Sequence, residues 1–362
     1  MSAPAPVLPL ARPEATASAL PVRVREMADD EAAQWDAFVA TCEDATFFHL
    51  SGWKSVIERS FAQRAHYLWA FRGETCCGIL PLVHMRSRLF GSSLVSLPFC
   101  VYGGPVARDA GALDALLDRA KGLADDLGVP TVELRSIRRV TADWACKSDL
   151  YATFVRDLPS APDAVLATIP RKQRAVVRKA LESDLVAAFD DGVERLQAVY
   201  AESVRNLGTP VFPRRYFRAL REVFGERCTV VTVSAARQVV AAVMNFEFRD
   251  TVLPYYGGGL PAARALGAAD LMYYSVMRRA VEDGFKRYDF GRSKAETGAF
   301  AFKKNWGFTP RFLEYEYHLP PGTPVPDRNP LSPKYRLFVA AWRRLPLALA
   351  NRLGPLIVRG IG

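Results

Sequence analysis

Tyr288-Asp-Phe-Gly-Arg-Ser-Lys-Ala-Glu-Thr-Gly-Ala-Phe-Ala-Phe-Lys-Lys-Asn-Trp-Gly-Phe308 is the stretch on which the reading of this chain turns. Upstream of it, Leu271, Tyr274, Met277 and Val281 recur at helical spacing between Ala268 and Asp283. Gly284 stands where a helix C-terminal cap belongs. Helix, Gly284 and a strand over Phe285–Phe290 form the second half of an α/β unit, with Asp289 at the strand's C-terminal end. Ligands of open α/β sheets collect at such ends. Gly291 and Gly298 suit turns, while Phe300, Phe302 and Trp306 either fill a core or line a site. Phe300 and Phe302 at alternate positions predict a shared buried face. Lys303 then points the opposite way, and Lys304 either shares the face of Phe302 or lies past a strand irregularity.

The 362 residues are long for one domain and suit two of about 150 each. Half the residues are hydrophobic and 24% are charged, as in a soluble globular protein. A net charge of +10 favours polyanions, whether nucleic acid, phospholipid headgroups or phosphorylated substrates. Six cysteines and four histidines show no metal-ligand spacing, and adjacent Cys76 and Cys77 suit a mutual bridge poorly. No metal site is expected, and reduced cysteines suit a cytoplasmic protein. Residues 1–21, rich in Ala and Pro, predict a disordered lead-in without a signal peptide's pattern. No run of 18 uncharged apolar residues predicts a membrane span.

Along the chain, helices are expected over Asp29–Thr41 and up to Phe61, with His49 a hydrogen-bonded structural residue. Strands follow over Tyr67–Phe71 and Cys76–Met85, joined at Arg72-Gly-Glu74, and Leu94–Tyr102 continues the sheet. A helix over Ala110–Leu127 and a strand over Thr131–Arg135 complete a half that Asp143–Leu158 closes. Pro159–Pro162 is the linker, so residues 22–160 form one domain and 161–318 a second. The second opens with a helix after Pro170. Arg171, Lys172, Arg174, Arg178 and Lys179 fall within an arc of roughly 160°, opposite Val176, Val177 and Ala180. That face is either solvated or an anion site. Helices over Glu194–Asn206 and Pro213–Phe224 precede a meander of Cys228–Val233, Gln238–Phe248 and Thr251–Tyr256. Both halves thus share one order of elements, an internal structural repeat. Residues 319–362 are a Pro-rich linker and a basic amphipathic tail. The tail either docks on the protein's own core or lies on an anionic membrane surface.

The order Tyr255-Tyr-Gly-Gly-Gly259, helix, Gly284-Phe-Lys-Arg-Tyr-Asp-Phe-Gly291, Gly298 and Phe302-Lys303-x-x-Trp306-Gly307 resembles the FemAB family. These are tandem GNAT-fold acyltransferases that act on amines of bacterial cell-envelope precursors. Ile169-Pro-Arg-Lys-Gln-Arg-Ala-Val-Val-Arg-Lys179 and Leu207-Gly-Thr-Pro-Val-Phe-Pro-Arg-Arg-Tyr-Phe217 are similar to the members that accompany exosortase (PEP-CTERM) systems. The resemblance runs from about Phe47 to the C-terminus. It implies an α+β protein of two tandem GNAT-like domains with mixed sheets flanked by helices.

The resemblance also implies site residues. Phe302 and Lys303 match the family's Phe-Lys pair, whose lysine lies at the reaction site, and Asp289 matches its strand-end aspartate. Asp289 is then a general base or amine-positioning carboxylate, or else caps a turn or pairs with Arg287 or Arg292. Tyr256 is a candidate hydrogen-bond donor. Arg264-Ala-Leu-Gly-Ala-Ala269, after Gly257, Gly258 and Gly259, resembles the pattern by which GNAT proteins cradle the pyrophosphate of coenzyme A, placing Arg264, Gly267 and Ala268 at the donor. Backbone N–H groups at a helix N-terminus suit such an anion. Arg171, Arg174, Arg178, Arg292 and Phe302 are candidates for binding substrate.

The absence of sustained heptads departs from members with a coiled-coil arm, which use aminoacyl-tRNA. Acyl-CoA and acyl-carrier protein therefore stand beside aminoacyl-tRNA as donors, with no permanent cofactor. The expected acceptor is an amine on an envelope glycan or lipid precursor at the cytoplasmic face, with peripheral contact to the anionic inner membrane. Acyl-CoA-dependent acylation of a sphingoid amine is a rival within the class. A non-catalytic scaffold for nucleic acid or membrane is a rival outside it.

Overall fold

The computed structural model describes residues 20–87, 90–326 and 333–361, without the side chains of 333–335. Of the expected lead-in, residues 1–19 lie outside the described residues, as do 327–332 of the Pro-rich linker.

The first half begins with β1 (Val22–Glu26), α1 (Ala32–Thr41) and α2 (Gly52–Phe61). The hairpin β2 (Arg64–Arg72) and β3 (Thr75–Ser87) turns at Gly73, whose φ of +60° is the left-handed region that glycine enters freely. β4 (Gly91–Val95), β5 (Val106–Ala107), α3 (Ala110–Asp126), β6 (Val132–Ser136), β7 (Ala145–Lys147) and β8 (Tyr151–Asp157) follow. α3 starts where the Asp109 carboxylate accepts the Ala112 N–H at 2.9 Å.

The second half runs through α4 (Val165–Thr168), α5 (Arg171–Leu181), β9 (Val186–Asp190), α6 (Glu194–Leu207) and α7 (Arg214–Phe224). The meander β10 (Cys228–Ala235), β11 (Gln238–Phe248) and β12 (Thr251–Gly259) leads to α8 (Pro261–Leu266) and α9 (Ala268–Glu282). Then come β13 (Arg287–Asp289), β14 (Ser293–Lys294), α10 (Gly298–Asn305), β15 (Pro310–Phe312) and β16 (Glu314–His318). The tail forms α11 (Pro333–Arg344) and α12 (Leu347–Val358).

The repeat expected from element order is visible in the pairing. In the first sheet, ordered β1-β2-β3-β4-β6-β16-β7 with β5 on β3, β4 and β6 run parallel through Leu94–Val132 and Val95–Glu133. In the second, ordered β14-β8-β13-β12-β11-β10-β9 with β15 on β8, β12 and β13 run parallel through Thr251–Arg287 and Val252–Tyr288. The parallel partner in each sheet is flanked by an antiparallel strand from the other half of the chain. β16 lies on β6, and β8 lies on β13. The Pro159–Pro162 linker therefore follows a strand that already belongs to the second sheet, and Glu314–His318 returns to the first. The sequence boundary at Pro159–Pro162 thus has strands of the second sheet on both sides, β8 before it and β9 after it.

Two local expectations change. Leu94–Tyr102 is not one strand: β4 ends at Val95, and Leu97 and Phe99 adopt φ of +56° and +68° in a loop. Phe300–Lys303 is helical rather than extended, because the Thr297 hydroxyl caps α10 by accepting the Phe300 N–H at 3.3 Å. Thr297 is a helix start signal ahead of Ala299, Ala301 and two lysines, all good helix formers.

One aromatic core spans the seam. Phe47 and Phe48 enter it from the turn before α2, and Phe47 stacks on Phe246 with centroids 4.5 Å apart. His49 is buried there, its Nε2 bonding the Gly104 carbonyl at 2.9 Å and its Nδ1 accepting the Thr46 N–H at 3.0 Å. Burial pushes its pKa down to about 4, so it is a neutral structural residue.

The tail docks on α6. Trp342, Ala350 and Val358 are buried, and a Cβ at Gly354 would fall 2.8 Å from the Val211 nitrogen. α6 itself approaches β12 so closely that a Cβ at Gly258 would meet Ser203 Cβ at 2.7 Å and Tyr200 Cα at 3.3 Å. Gly258→Ala should therefore lose about 1–3 kcal/mol in urea unfolding, and an unchanged midpoint would contradict this packing.

Candidate active site

The two parallel pairings end differently. In the first half the space beyond β4 is filled by its own loop. The Ser96 N–H bonds the Glu133 carbonyl at 2.8 Å, and the Gly103 and Gly104 N–H groups bond the Arg135 carbonyl at 3.1 and 2.9 Å. In the second half the β12–β13 pairing stops after Val252 and Tyr288, and Pro254 has no N–H to extend it. The polar groups collect beside this divergence.

Asp289 ends β13 and is buried. It accepts the Gly291 N–H at 2.8 Å, the Thr153 hydroxyl at 3.1 Å and the Tyr102 hydroxyl at 3.1 Å. Thr153 comes from the exchanged β8, and Tyr102 from the strained first-half loop; the two hydroxyls also touch each other. Burial raises the Asp289 pKa, and these three donors, with the nearby Lys303 charge, oppose that rise. Asp289 thus caps the turn into Gly291, whose φ is +66°. Arg287 instead faces Asp157 and Asp250, each at 3.8 Å.

Lys303 reaches the same turn from α10. Its Nζ donates to the Gly291 carbonyl at 2.9 Å and the Arg292 carbonyl at 3.1 Å, between the rings of Phe154 and Phe290. Burial lowers its pKa to about 7, with Asp289 opposing that shift and Arg292 adding to it. Lys304, one helical step on, is exposed, and Phe302 is half-buried against Tyr273 and Trp306.

Arg292 lies in the seam. It donates to the Tyr315 hydroxyl at 2.6 Å and sits over the rings of Tyr151 at 4.4 Å and Tyr315 at 5.9 Å. Burial disfavours its charge, but the phenols of Tyr315, Tyr151 and Tyr255 outweigh that, and its pKa lies above the ordinary arginine value. Its polar partner is a phenol rather than a carboxylate. Nearby Arg135 does have one: Glu133 at 2.8 Å, both side chains buried.

Other candidates are placed elsewhere. The Tyr256 hydroxyl is held by Tyr216 at 2.6 Å and by the Phe99 carbonyl at 3.4 Å inside the aromatic core. Burial raises its pKa well above the ordinary phenol value. Gly257 and Gly258 are required by packing, against Tyr273 and Val243 on one side and α6 on the other. Gly259 bonds Ser203 through its N–H at 3.3 Å. Gly267 adopts φ +69°, and a Cβ there would meet Val176 of α5 at 3.0 Å; Ala268 is buried and Arg264 exposed. The anion at the start of α9 is the chain's own Asp270, which accepts from Gln173 of α5 and from the Trp306 indole at 3.0 Å.

Arg171 and Arg178 are exposed on α5, and Arg174 bonds the Ile169 carbonyl at 3.0 Å. Sequence reasoning missed Tyr102, Thr153, Tyr151, Tyr315 and Arg135: strand exchange brings in Thr153, Tyr151 and Tyr315, and the packing of the first half against the second brings in Tyr102 and Arg135. The described residues hold no group of three or more His, Cys, Asp or Glu side chains placed to bind a metal ion.

Residues 165–304 match the family model described as an acetyltransferase (GNAT) domain. No curated protein matches the chain closely enough to count as a relative. The fold is similar to the crystal structure of FemX, with a TM-score of 0.61 at 14% identity over 81% of this chain and 96% of that one. It is also similar to L-PGS from Bacillus licheniformis, with a TM-score of 0.54 at 12% identity over 91% and 96% of the two chains. A tandem GNAT protein from the clavulanic acid biosynthesis pathway gives 0.52 at 14% identity, over 84% of this chain and all of its own. The chain has a tandem GNAT-like fold, and its second half holds the region that matches an acetyltransferase (GNAT) domain.

The lysine carries a pH signature. Lys303 titrates near 7 when folded and near 10.5 in a free chain, so the unfolded state binds more protons between those values. Its burial penalty is complete below about 7 and gone above 10.5. The wild type should therefore gain stability relative to Lys303→Met as pH rises across that window in chemical denaturation. A flat difference would mean that Lys303 is not buried as a titrating group.

Proposed function

We propose that this protein transfers an acyl or aminoacyl group from a phosphate-containing carrier to an amine on a cell-envelope glycan or lipid precursor. The reaction is set in the cytoplasm, peripheral to the inner membrane. The observation that carries the reading is Lys303: a buried lysine in a GNAT domain, at the point where β12 and β13 part, with two donors on carbonyls.

The amine attacks the acyl carbonyl, a C–N bond forms, and the carbonyl oxygen becomes an oxyanion. The bond to the carrier then breaks, and the carrier leaves with the proton that the amine gives up. An ammonium has three donors. Two of Lys303's hold the Gly291 and Arg292 carbonyls in place, and the third is the donor for the oxyanion. Asp289 positions this turn through Gly291, and Tyr256 positions the Phe99 loop from the core. Arg292 offers its remaining N–H groups to an anionic part of a substrate, while Phe302 packs on Tyr273, Phe290 and Trp306.

Arg171, Arg174 and Arg178, with Arg264, are the cations for the carrier's phosphates, whether acyl-CoA, acyl-carrier protein or aminoacyl-tRNA. Because Gly267 and Ala268 lie under α5, donor phosphates meet the exposed cations first, and the glycines and the α9 N-terminus only if α5 shifts. The Ile169–Lys179 and Leu207–Phe217 motifs support a member accompanying an exosortase system.

Lys303→Met keeps most of the stem and removes the charge. Turnover should fall on the order of 10²–10³-fold, while Lys304→Met, altered only at an exposed position, keeps most of it. The part of the rate that depends on Lys303 should fade as pH rises through about 7, where the ammonium is lost. Wild-type turnover in Lys303→Met, or collapse in Lys304→Met, would reject this placement of the chemistry.

A further inference from the structure

The tail has two faces. Its inner face is Trp342, Ala350, Gly354 and Val358, packed over α6 and the Val211 loop. Arg359 is tied to the first half, its carbonyl accepting from Gln63 at 2.9 Å. A Cβ at Gly360 would fall 2.5 Å from Ser87 Oγ and 3.5 Å from the ring of Phe90, at the β3–β4 hairpin. The tail is therefore a strap across both halves, held in place by one side.

Its outer face is left uncovered. Leu337 is 83% exposed, Leu356 65%, Leu349 42% and Phe338 39%. Phe90, beside Gly360, is 39% exposed. On α12 and its C-terminal cap, Leu349, Arg352, Leu356 and Arg359 are all exposed and follow one another at helical spacing, so apolar and cationic side chains share one stripe. α11 adds Arg336 and Arg344, both exposed, while Arg343, also exposed, reaches back to the Leu207 carbonyl of α6 at 3.4 Å. Residues 333–361 contain Lys334 and these five arginines and not one Asp or Glu. Solvation alone does not call for uncovered leucines among cations on a strap whose inner face is already satisfied. A fully wet surface would favour Lys and Glu instead.

We propose that the outer face of α11–α12, with Phe90, is a docking surface for an anionic phospholipid bilayer. The leucines and Phe338 enter the headgroup–acyl boundary while the arginines meet lipid phosphates. No helix among the described residues is long and apolar enough to cross a membrane, so contact is parallel to the surface. The inference deepens the membrane-face setting of the proposed function but stands on the tail alone. It gives the protein a fixed orientation: α6 and the Gly208–Pro213 loop lie directly beneath the strap, so an acceptor held in the bilayer is offered to one side of the molecule.

The test is co-sedimentation of the full-length protein with vesicles of phosphatidylcholine alone or mixed with phosphatidylglycerol, at two salt concentrations. Binding is expected only to the anionic vesicles and weakens with salt. Leu337→Glu with Leu356→Glu, and separately Arg336→Glu with Arg352→Glu, should each weaken it by tenfold or more, on the order expected for losing two such anchors. Arg171→Glu with Arg178→Glu lowers net charge by four units, as much as the arginine tail pair and twice as much as the leucine pair, and should leave vesicle binding close to wild type. Equal loss in that pair would reduce the effect to net charge and overturn the proposal. So would full binding by both tail variants, no binding by the wild type, or tail variants that lose affinity for tRNA rather than for vesicles. Both tail variants should keep wild-type turnover on a water-soluble amine. An enzyme inactive throughout, with vesicle binding still dependent on the tail, would reject the acyl-transfer reading and leave this one intact.

Discussion

Two strands cross the seam of this molecule in opposite directions, and the rest of its structure depends on that exchange. β8 leaves the first half to lie on β13, and β16 leaves the second half to lie on β6. The return strand is locked by Glu316, which has no exposed surface and accepts the Val140 N–H at 2.9 Å, the Thr141 N–H at 2.7 Å and the Thr141 hydroxyl at 2.5 Å. A buried carboxylate must be satisfied in this way or be expelled. Its three donors fix the position of Tyr315, one residue earlier, and Tyr315 in turn holds Arg292. β8 delivers Tyr151, whose ring lies against both the same guanidinium and the Tyr315 ring, and Thr153 to Asp289. Neither half alone contains the polar cluster.

This exchange marks the limit of what the sequence revealed. Hydrophobic periodicity located α3, α6, α7 and α9 and the meander β10–β12, because local repeats of 3.6 and 2 are written along the chain. Asp289 and Lys303 were legible from a motif, since their elements are neighbours in sequence. Tyr102, Thr153 and Tyr315 carried no signal, for each is brought to the cluster by a long-range pairing that no local pattern records. The strand reading of Phe300–Lys303 failed because alternation over a few residues is compatible with a short helix. The Thr297 cap decided between them.

The glycine-rich stretch illustrates a different confusion. Gly257, Gly258 and Gly259 look like a loop that approaches a ligand, yet two of them admit neighbouring side chains and helix α6. Close approach of any kind requires glycine, and sequence does not say whether the approaching atoms belong to a phosphate or to the protein. The start of α9 makes the same point with charge. Its free N–H groups and dipole favour an anion, and Asp270, anchored by Gln173 and Trp306, is already there.

The charges of the cluster do not balance, and that imbalance bears on the proposed chemistry. Glu133 offsets Arg135 at 2.8 Å, and Asp289 acts on Lys303 as its nearest anion. Arg292 is left with phenols. A half-buried guanidinium facing tyrosine rings is tolerable because its weak hydration makes desolvation less costly than for an ammonium. Lys303 has the opposite problem: a compact ammonium loses most by burial, and its pKa falls to about 7. The cationic surplus therefore rests on a residue that cannot release its proton, beside one that gains or loses its proton near neutrality. In the proposed reaction, an acyl oxygen that acquires negative charge would meet the Lys303 ammonium, while Arg292 would face an anionic part of the substrate. Such a site binds charge more strongly as the charge develops, which is the condition for lowering a barrier rather than merely holding a substrate.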